Sequence, residues 1–276
     1  MKIADLFKVE GYGTIVTGGA SGIGLGFTEA MAANGARVTM LDVHAQRLET
    51  ETKRLRGAGL DVTGLCVDVT NHQVLDNAFE EVVRMYGRLD AVFANAGVDP
   101  GVGFVGDWVG NERVRVTAGA LENYTDERWN RVIEINLNGI FATVRAAARH
   151  MKPRRSGRII VTTSLASTRI EPAIGAAYMT AKAGIAHFMH CAALELAAYN
   201  ITVNAIAPGL FVTNIGGGHA HNPEVQAAFS KIIPMHRVGF PDDIKGLALF
   251  LTAPASGYLT GQEIVIDGGL GLGTAD

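Results

Sequence analysis

Short runs of β-branched and apolar residues alternate along the chain with longer amphipathic stretches. The short runs have the length and composition of buried strands, and the longer stretches repeat their apolar residues at helical spacing. Strands are predicted at Gly13–Thr17, Ala36–Asp42, Val62–Val67, Asp90–Ala94, Gly157–Thr163, Ile201–Ile206 and Glu263–Asp267. Helices are predicted between them at Ile23–Asn34, Ala45–Gly57, Gln73–Tyr86, Asp126–Met151, Ala176–Ala198 and Pro241–Leu251.

This alternation predicts an α/β fold. Strands that are apolar throughout are buried on both faces, so they should form a parallel sheet with helices on either side. We therefore expect a doubly wound, Rossmann-type sheet of seven parallel strands in a single domain spanning residues 1–276. Two segments break the rhythm, an insertion at about 98–124 and a loop at about 210–233, and their length marks both as candidate functional loops.

Charge and composition exclude several classes of partner. The chain has 24 Lys+Arg against 27 Asp+Glu, a net charge of −3, and no long cationic run, which argues against nucleic acid. Neither a secretory leader nor a continuous apolar span for a membrane is evident. Cys66 and Cys191 lie in apolar surroundings and are expected to be reduced core thiols. We expect a cytoplasmic protein.

A glycine-rich string, TGGASGIG at 17–24, joins the first predicted strand to the first predicted helix. Glycine at Gly18, Gly22 and Gly24 permits a tight turn and the close approach of a pyrophosphate. The helix that follows offers unpaired N–H groups and the positive end of its dipole. A string in this position is typical of a dinucleotide site.

The second predicted strand ends in an acid, Asp42, which lies 18 residues beyond Gly24. An acid about 20 residues after the glycines reaches the adenosine ribose. Its carboxylate would accept hydrogen bonds from the ribose hydroxyls and repel a 2′-phosphate, which favours NAD over NADP. Two alternatives stay open: Asp42 caps the next helix, or Arg47 bends back and holds the 2′-phosphate of NADP.

Polar residues with the properties of proton-transfer or hydrogen-bonding groups lie on two predicted helices and at the end of one predicted strand. Tyr178 and Lys182 are four residues apart, so they share one helical face. Lowering a phenol pKa from about 10 to about 7 needs roughly 4 kcal/mol, which a neighbouring ammonium and a nicotinamide cation could supply. Ser164 follows the fifth predicted strand, with Ser167 as a second hydroxyl within reach. Asn136 is an amide at an apolar helix position, so it needs hydrogen-bond partners.

These motifs, together with DVT from Asp68, NAG at 95–97 and PGLFVT at 208–213, resemble the short-chain dehydrogenase/reductase family over essentially the whole chain. The resemblance implies catalytic roles for Asn136, Ser164, Tyr178 and Lys182. It implies NAD binding by Gly18, Ser21, Gly22, Ile23, Gly24, Asp42, Asp68, Val69, Asn95, Ala96, Gly97, Tyr178, Lys182, Pro208, Gly209 and Thr213. It also implies a homotetramer.

The function expected from this resemblance is NAD-dependent interconversion of a secondary alcohol and a ketone, with tyrosine as the general acid/base. A polyol, a sugar acid or a cyclic alcohol is the expected substrate. Two alternatives are an NADP-dependent 3-oxoacyl reductase and a non-catalytic dinucleotide-binding scaffold. The insertion is longer than is usual in the family, and it could cover the substrate, extend a subunit contact or form a surface flap.

No metal site is expected. His219 and His221 are common ligand types, but no further ligand stands near them in the sequence. We expect them to be exposed loop residues, with a contact to substrate as the alternative.

Overall fold

The seven predicted strands pair side by side in the computed structural model, which describes residues 2–98, 101–109 and 112–273. They are β1 (Gly13–Thr17), β2 (Arg37–Asp42), β3 (Val62–Cys66), β4 (Ala91–Ala94), β7 (Gly157–Thr162), β8 (Ile201–Pro208) and β9 (Glu263–Ile266). All neighbouring pairs are parallel, in the order β3-β2-β1-β4-β7-β8-β9. Two further strands, β5 (Val105–Val109) and β6 (Glu112–Arg115), form an antiparallel hairpin outside this sheet.

Helices cover both faces of the sheet. They are α1 (Gly22–Ala33), α2 (Ala45–Gly57), α3 (His72–Tyr86), α4 (Asp126–Ile133), α5 (Gly139–Met151), α6 (Ala176–Ala197), α7 (Pro223–Ser230) and α8 (Pro241–Thr252). One apolar layer joins the sheet to α3, α5 and α6, and the other joins it to α1, α2 and α8. The doubly wound fold in a single domain is thereby confirmed. None of the helices in the described residues is both apolar and long enough to pass through a bilayer.

The strand order creates a crevice at the carboxyl edge of the sheet. From β1 the chain moves outward to β2 and β3, then returns to β4 on the other side of β1. The connections after β1 and β4 therefore diverge, and doubly wound sheets bind ligands at such a switch point. The residues that follow β1, β4, β7 and β8 all reach this edge.

The predicted element bounds agree with the structure to within two residues, but three features were not predicted. The hairpin lies inside the insertion, and α7 lies inside the loop at 210–233. The third is a π-helical turn, Glu134–Asn138, which separates α4 from α5 where one continuous helix was expected.

Both cysteines are free, but the expectation that they lie in the core was wrong, because both are exposed. Cys66 ends β3, which is the outermost strand on its side of the sheet, so its outer flank has no neighbouring strand. Cys191 lies on α6 beside the buried residues Met189 and Ala192 but faces away from the core.

Candidate functional site

A cavity of about 740 Å³ opens at the carboxyl edge of the sheet. Every residue that the sequence predicted for catalysis or cofactor binding lines it. These are Gly18, Ser21, Gly22, Ile23, Gly24, Asp42, Asp68, Val69, Asn95, Ala96, Gly97, Asn136, Ser164, Tyr178, Lys182, Pro208, Gly209 and Thr213. Residues distant in sequence are thus brought together around one space large enough for a dinucleotide and a small substrate.

The glycine-rich turn has the geometry of a phosphate cradle. Gly18 and Gly22 adopt positive φ values of 64° and 52°. A Cβ at Gly24 would lie 2.1 Å from the carbonyl oxygen of Gly18, so no side chain fits there. Ser21, at the N-cap of α1, makes no side-chain cap hydrogen bond, which leaves first-turn N–H groups for a ligand. These residues fit a pyrophosphate at a helix N-terminus.

Asp42 joins this turn to the end of β2. Its carboxylate is only 6% exposed, and it accepts hydrogen bonds from the N–H groups of Ala20 (3.2 Å) and His44 (3.0 Å). His44, rather than Asp42, is the N-cap of α2. Arg47, on the first turn of α2, lines the same end of the cavity. Asp42, which favours NAD, and Arg47, which would favour NADP, therefore both reach the site.

A network that the sequence analysis missed connects the ends of β1, β4 and β7. The buried Thr17 Oγ1 accepts hydrogen bonds from the N–H groups of Asn95 (3.0 Å) and Ala96 (3.1 Å). Asn95 Nδ2 donates to the Thr17 carbonyl (3.0 Å), and Asn95 Oδ1 accepts from Thr162 Oγ1 (3.0 Å). The amide of Asn95 thus spans three strands and sets their relative positions at the floor of the cavity.

The π-helical turn places Asn136 where its amide can hold the loop after β4. Asn136 is fully buried. Its Nδ2 donates to the carbonyls of Val132 (3.1 Å) and Val98 (3.4 Å), and its Oδ1 accepts from the Val98 N–H (3.3 Å). A Cβ at Gly97 would lie 2.8 Å from Asn136 Oδ1, so the loop passes directly against the amide. Backbone groups therefore provide the hydrogen-bond partners that Asn136 was predicted to need.

The structure separates the two candidate hydroxyls that follow β7. Ser164 lines the cavity, and its Oγ accepts a hydrogen bond from the Ala166 N–H (3.1 Å). Ser167 Oγ donates to Glu263 Oε1 (2.7 Å) and does not line the cavity. Ser164 is therefore the hydroxyl that a ligand in the cavity can reach.

Tyr178 and Lys182 share a face of α6, as predicted. Lys182 is 3% exposed, and its Nζ donates to the Thr162 carbonyl (2.8 Å). The same Nζ lies 5.5 Å from the ring centroid of Tyr178. Burial lowers the pKa of the Lys182 ammonium to about 8. A partly desolvated cation beside a phenol favours the phenolate electrostatically, because little water screens the pair.

The loop at 210–233 forms one wall of the cavity. A 3₁₀ helix at Ile215–His221 and α7 contribute lining residues, and the apolar ones among them and the preceding turn include Leu210, Ile215, Ala220 and Phe229. His221 is exposed, and its Nε2 lies 3.1 Å from Asn214 Oδ1. The side chain of His219 lies outside the described residues. Among the residues described, no three His, Cys, Asp or Glu side chains form a group that could hold a metal ion.

Replacing Lys182 with methionine should remove the free-energy cost of burying its ammonium group. The unfolded lysine keeps its proton up to about pH 10.4, whereas the folded one loses it near pH 8. The wild type therefore gains stability as pH rises between these values, and the variant lacks this gain. The measured quantity is the melting temperature of the cofactor-free Lys182→Met variant minus that of the cofactor-free wild type. We expect this difference to be smaller at pH 10 than at pH 7. An equal difference at both pH values would contradict a buried, titrating lysine.

Comparison with known proteins agrees with this geometry. A family model described as enoyl-(acyl carrier protein) reductase matches residues 18–271. The 3-oxoacyl-[acyl-carrier-protein] reductase of Chlamydia pneumoniae is 33% identical over 256 residues, covering 93% of this chain and 95% of that protein. The 5-keto-D-gluconate 5-reductase of Escherichia coli K12 is 29% identical over 266 residues, covering 96% and 98%.

Among solved structures, the NADPH-dependent 3-quinuclidinone reductase from Rhodotorula rubra superimposes with a TM-score of 0.84. It is 31% identical in sequence, and the match covers 98% of this chain and 95% of that one. The matched family model and these relatives span almost all of the chain, including the whole cavity. The chain therefore belongs to the short-chain dehydrogenase/reductase family of oxidoreductases.

Proposed function

We propose that this protein is an NAD-dependent oxidoreductase that interconverts a secondary alcohol and a ketone. The observation that carries the proposal is the placement of Tyr178 beside the buried Lys182 ammonium, in a cavity that also holds Ser164 and the glycine-rich phosphate cradle. Dinucleotide binding alone requires the cradle but not this set. The arrangement therefore disfavours a non-catalytic scaffold.

In the proposed mechanism, each side chain handles the substrate oxygen or its proton. The nicotinamide cofactor supplies the hydride acceptor when it is bound. Ser164 Oγ donates a hydrogen bond to the substrate oxygen and orients it. Tyr178 takes the hydroxyl proton during oxidation and returns it during reduction, and Lys182 stabilises its phenolate. This division of roles needs only groups that line the cavity.

Asn136 has a different task in this proposal from the one the resemblance implies. The family resemblance implies that Asn136 anchors a water molecule in a proton relay. In the structure its amide is engaged with the backbone of Val98 and Val132. We therefore propose that it positions the loop after β4, which lies against the cavity.

The proposal of NAD rests on the position of Asp42. Its carboxylate is buried and held by two backbone N–H groups, so it cannot swing away from a ligand at the end of β2. Each unit of negative charge on a 2′-phosphate would be repelled by roughly 4 kcal/mol at about 4 Å and an effective dielectric of about 20. The rival is an NADP-dependent 3-oxoacyl reductase, which the half-buried Arg47 at the same end of the cavity favours.

Among the expected substrates, the cavity wall favours a cyclic alcohol over a polyol or a sugar acid. Leu210 and Phe229 line the cavity and pack against the apolar cluster of Val212, Ile233 and Val238. The side chains of Leu210 and Phe229 are held in place, and they offer no hydrogen bonds to a hydroxyl-rich substrate. Polar groups left unpaired against it would cost binding energy.

The Asp, Lys and Arg residues that line the cavity, among those described, are Asp42, Arg47, Asp68, Arg131 and Lys182. Asp42, Arg47 and Asp68 stand at the ends of β2 and β3 and on α2. Arg131 lies on the last turn of α4, immediately before the π-helical turn. A Cβ at Gly139 would lie 2.7 Å from Val69 Cγ2, so the start of α5 packs closely against the segment after β3.

The homotetramer and the cytoplasmic location stay predictions from the sequence. Oligomeric state can be measured by light scattering of the purified protein, and it does not bear on the roles proposed for the cavity.

Replacing Tyr178 with phenylalanine should remove nearly all turnover without loss of cofactor binding. The substitution removes only the hydroxyl oxygen, so the cavity keeps its shape while the proton acceptor is lost. With the best alcohol from a screen, we expect kcat to fall by about 10²–10⁴, the usual contribution of general acid/base catalysis. NAD binding, followed by its effect on the melting temperature, should be retained. Comparable turnover by the variant would reject Tyr178 as the base.

Removing the charge of Asp42 should relax the choice of cofactor. In Asp42→Ala, and in the near-isosteric Asp42→Asn, the repulsion of a 2′-phosphate is absent. We expect the ratio of kcat/KM with NAD to kcat/KM with NADP to fall at least tenfold. Arg47→Ala is the matched control from the same end of the cavity, and it should change this ratio in the opposite direction or leave it. An unchanged ratio in both Asp42 variants would count against the ribose contact.

Substitutions at Phe229 should discriminate between substrate classes. Phe229→Ala removes part of the apolar wall, and a loss of hydrophobic contact in such a pocket is worth about 1–3 kcal/mol. We expect kcat/KM for cyclic secondary alcohols to fall by about tenfold or more, and that for polyols to stay within a factor of two. Preferential turnover of sugar acids by the wild type, lost in Arg131→Leu, would show that the substrate is anionic instead.

A further inference from the structure

The insertion between β4 and α4 contacts the segment that leads into α6. We call its residues 101–105 the strap. The strap runs antiparallel to residues 172–175, with a β-bridge between Val102 and Ile174. The Gly103 N–H donates to the Ala173 carbonyl (2.9 Å), and the Val105 N–H donates to the Pro172 carbonyl (3.1 Å).

A third hydrogen bond links the strap to the start of α6. The Gly175 N–H donates to the Gly101 carbonyl (3.2 Å). Gly175 is the N-cap of α6, and its own carbonyl accepts from the Tyr178 N–H (3.1 Å). Two consecutive hydrogen bonds therefore connect the strap to the backbone of Tyr178.

Close packing leaves the strap no freedom at Gly103. A Cβ at this buried position would lie 2.1 Å from the Pro172 carbonyl oxygen. On the other side, a Cβ at Gly119 would lie 1.7 Å from the Gly103 carbonyl oxygen. The strap is thus held between the segment before α6 and the turn that closes the insertion. Any side chain at Gly103 must displace backbone.

Arg128 ties both ends of the insertion to α4. Its Nη1 donates to the Ala118 carbonyl (2.9 Å) and its Nη2 to the Val102 carbonyl. Its guanidinium lies over the ring of Tyr124, 4.2 Å from the centroid. The insertion therefore contacts both α4 and the start of α6. Because α4 leads directly into the turn that holds Asn136, the insertion connects the elements that position Asn136 and Tyr178.

The loop between Ser164 and Tyr178 is held at its other end by different contacts. Ser167 Oγ donates to Glu263, and Arg169 Nη1 donates to the Leu270 carbonyl. These contacts restrain the Ser164 side of the loop. The strap contacts the loop over its last four residues, immediately before the helix that carries Tyr178.

From this arrangement we propose that the strap positions Tyr178 for proton transfer, with Gly103 and Arg128 as its positioning residues. This role differs from substrate cover, subunit contact and surface flap, and it rests on the proposed function of Tyr178. Adding a methyl group at Gly103 pushes on the Pro172 carbonyl and so shifts the start of α6 relative to Lys182 and Ser164. A displacement of about 1 Å at a reacting group can cost about a hundredfold in rate.

The test is Gly103→Ala, with Arg128→Lys as a milder variant that keeps the charge but loses the forked donors. For Gly103→Ala we expect kcat to fall tenfold to a hundredfold, with the KM for alcohol and the affinity for NAD within a factor of two. The pH midpoint of kcat should rise, because Tyr178 lies less favourably beside Lys182. Arg128→Lys should show the same pattern with a smaller loss, and it keeps the test informative should Gly103→Ala fold poorly.

Gly246→Ala is the matched control, because Gly246 is exposed on α8 and an added methyl meets nothing within 4 Å. It should leave kcat and the pH midpoint unchanged. An unmoved pH midpoint in both strap variants, or a fall in kcat that only follows their melting temperatures, would overturn the inference. Tyr178→Phe distinguishes failure of the proposed function from failure of the strap inference. Retained turnover in Tyr178→Phe overturns the proposed function. Loss of turnover in Tyr178→Phe, with kcat and pH midpoint unchanged in the strap variants, overturns only the positioning role of the strap.

Discussion

A buried ammonium beside a phenol is the constraint on which the site depends. Lys182 is almost inaccessible to water, and one of its few partners is the carbonyl at the end of β7. Burying a cation is unfavourable unless nearby groups compensate. An ionised Tyr178 would provide that compensation, so the desolvation of Lys182 and the reactivity of Tyr178 are two consequences of the same placement. The desolvation of Lys182 lowers its pKa to about 8.

The surrounding structure can be understood as support for that pair. Thr17, Asn95 and Thr162 join the carboxyl ends of three adjacent strands, and the carbonyl of Thr162 is the one that binds Lys182. Asn136 fastens the loop after β4 from the other side. These four polar side chains thereby form a rigid floor, because the donors and acceptors of each have hydrogen-bond partners. The insertion then adds a restraint on the helix that carries Tyr178.

Much of the fold and of the site could be predicted because the relevant signals are local. Apolar runs define the strands, glycines with no room for a Cβ define the phosphate turn, and a four-residue spacing puts Tyr178 and Lys182 on one face. The missed features depend on tertiary context. Thr17 and Thr162 look like ordinary β-branched strand residues, and the π-helical turn leaves no mark on an apolar periodicity. The exposure of Cys66 follows from the order of the strands, which composition does not reveal, and the strap's partner lies some seventy residues away in the chain.

The ionisation of Tyr178 itself is the most direct test of the account. Ultraviolet difference titration of the wild type against Tyr178→Phe isolates the phenolate signal of this one residue, with and without bound NAD. The account predicts that Tyr178 ionises at a lower pH than the other tyrosines when the cofactor is bound, and that Lys182→Met moves this ionisation upward. A Tyr178 that titrates with the other tyrosines and is indifferent to Lys182 would contradict the account.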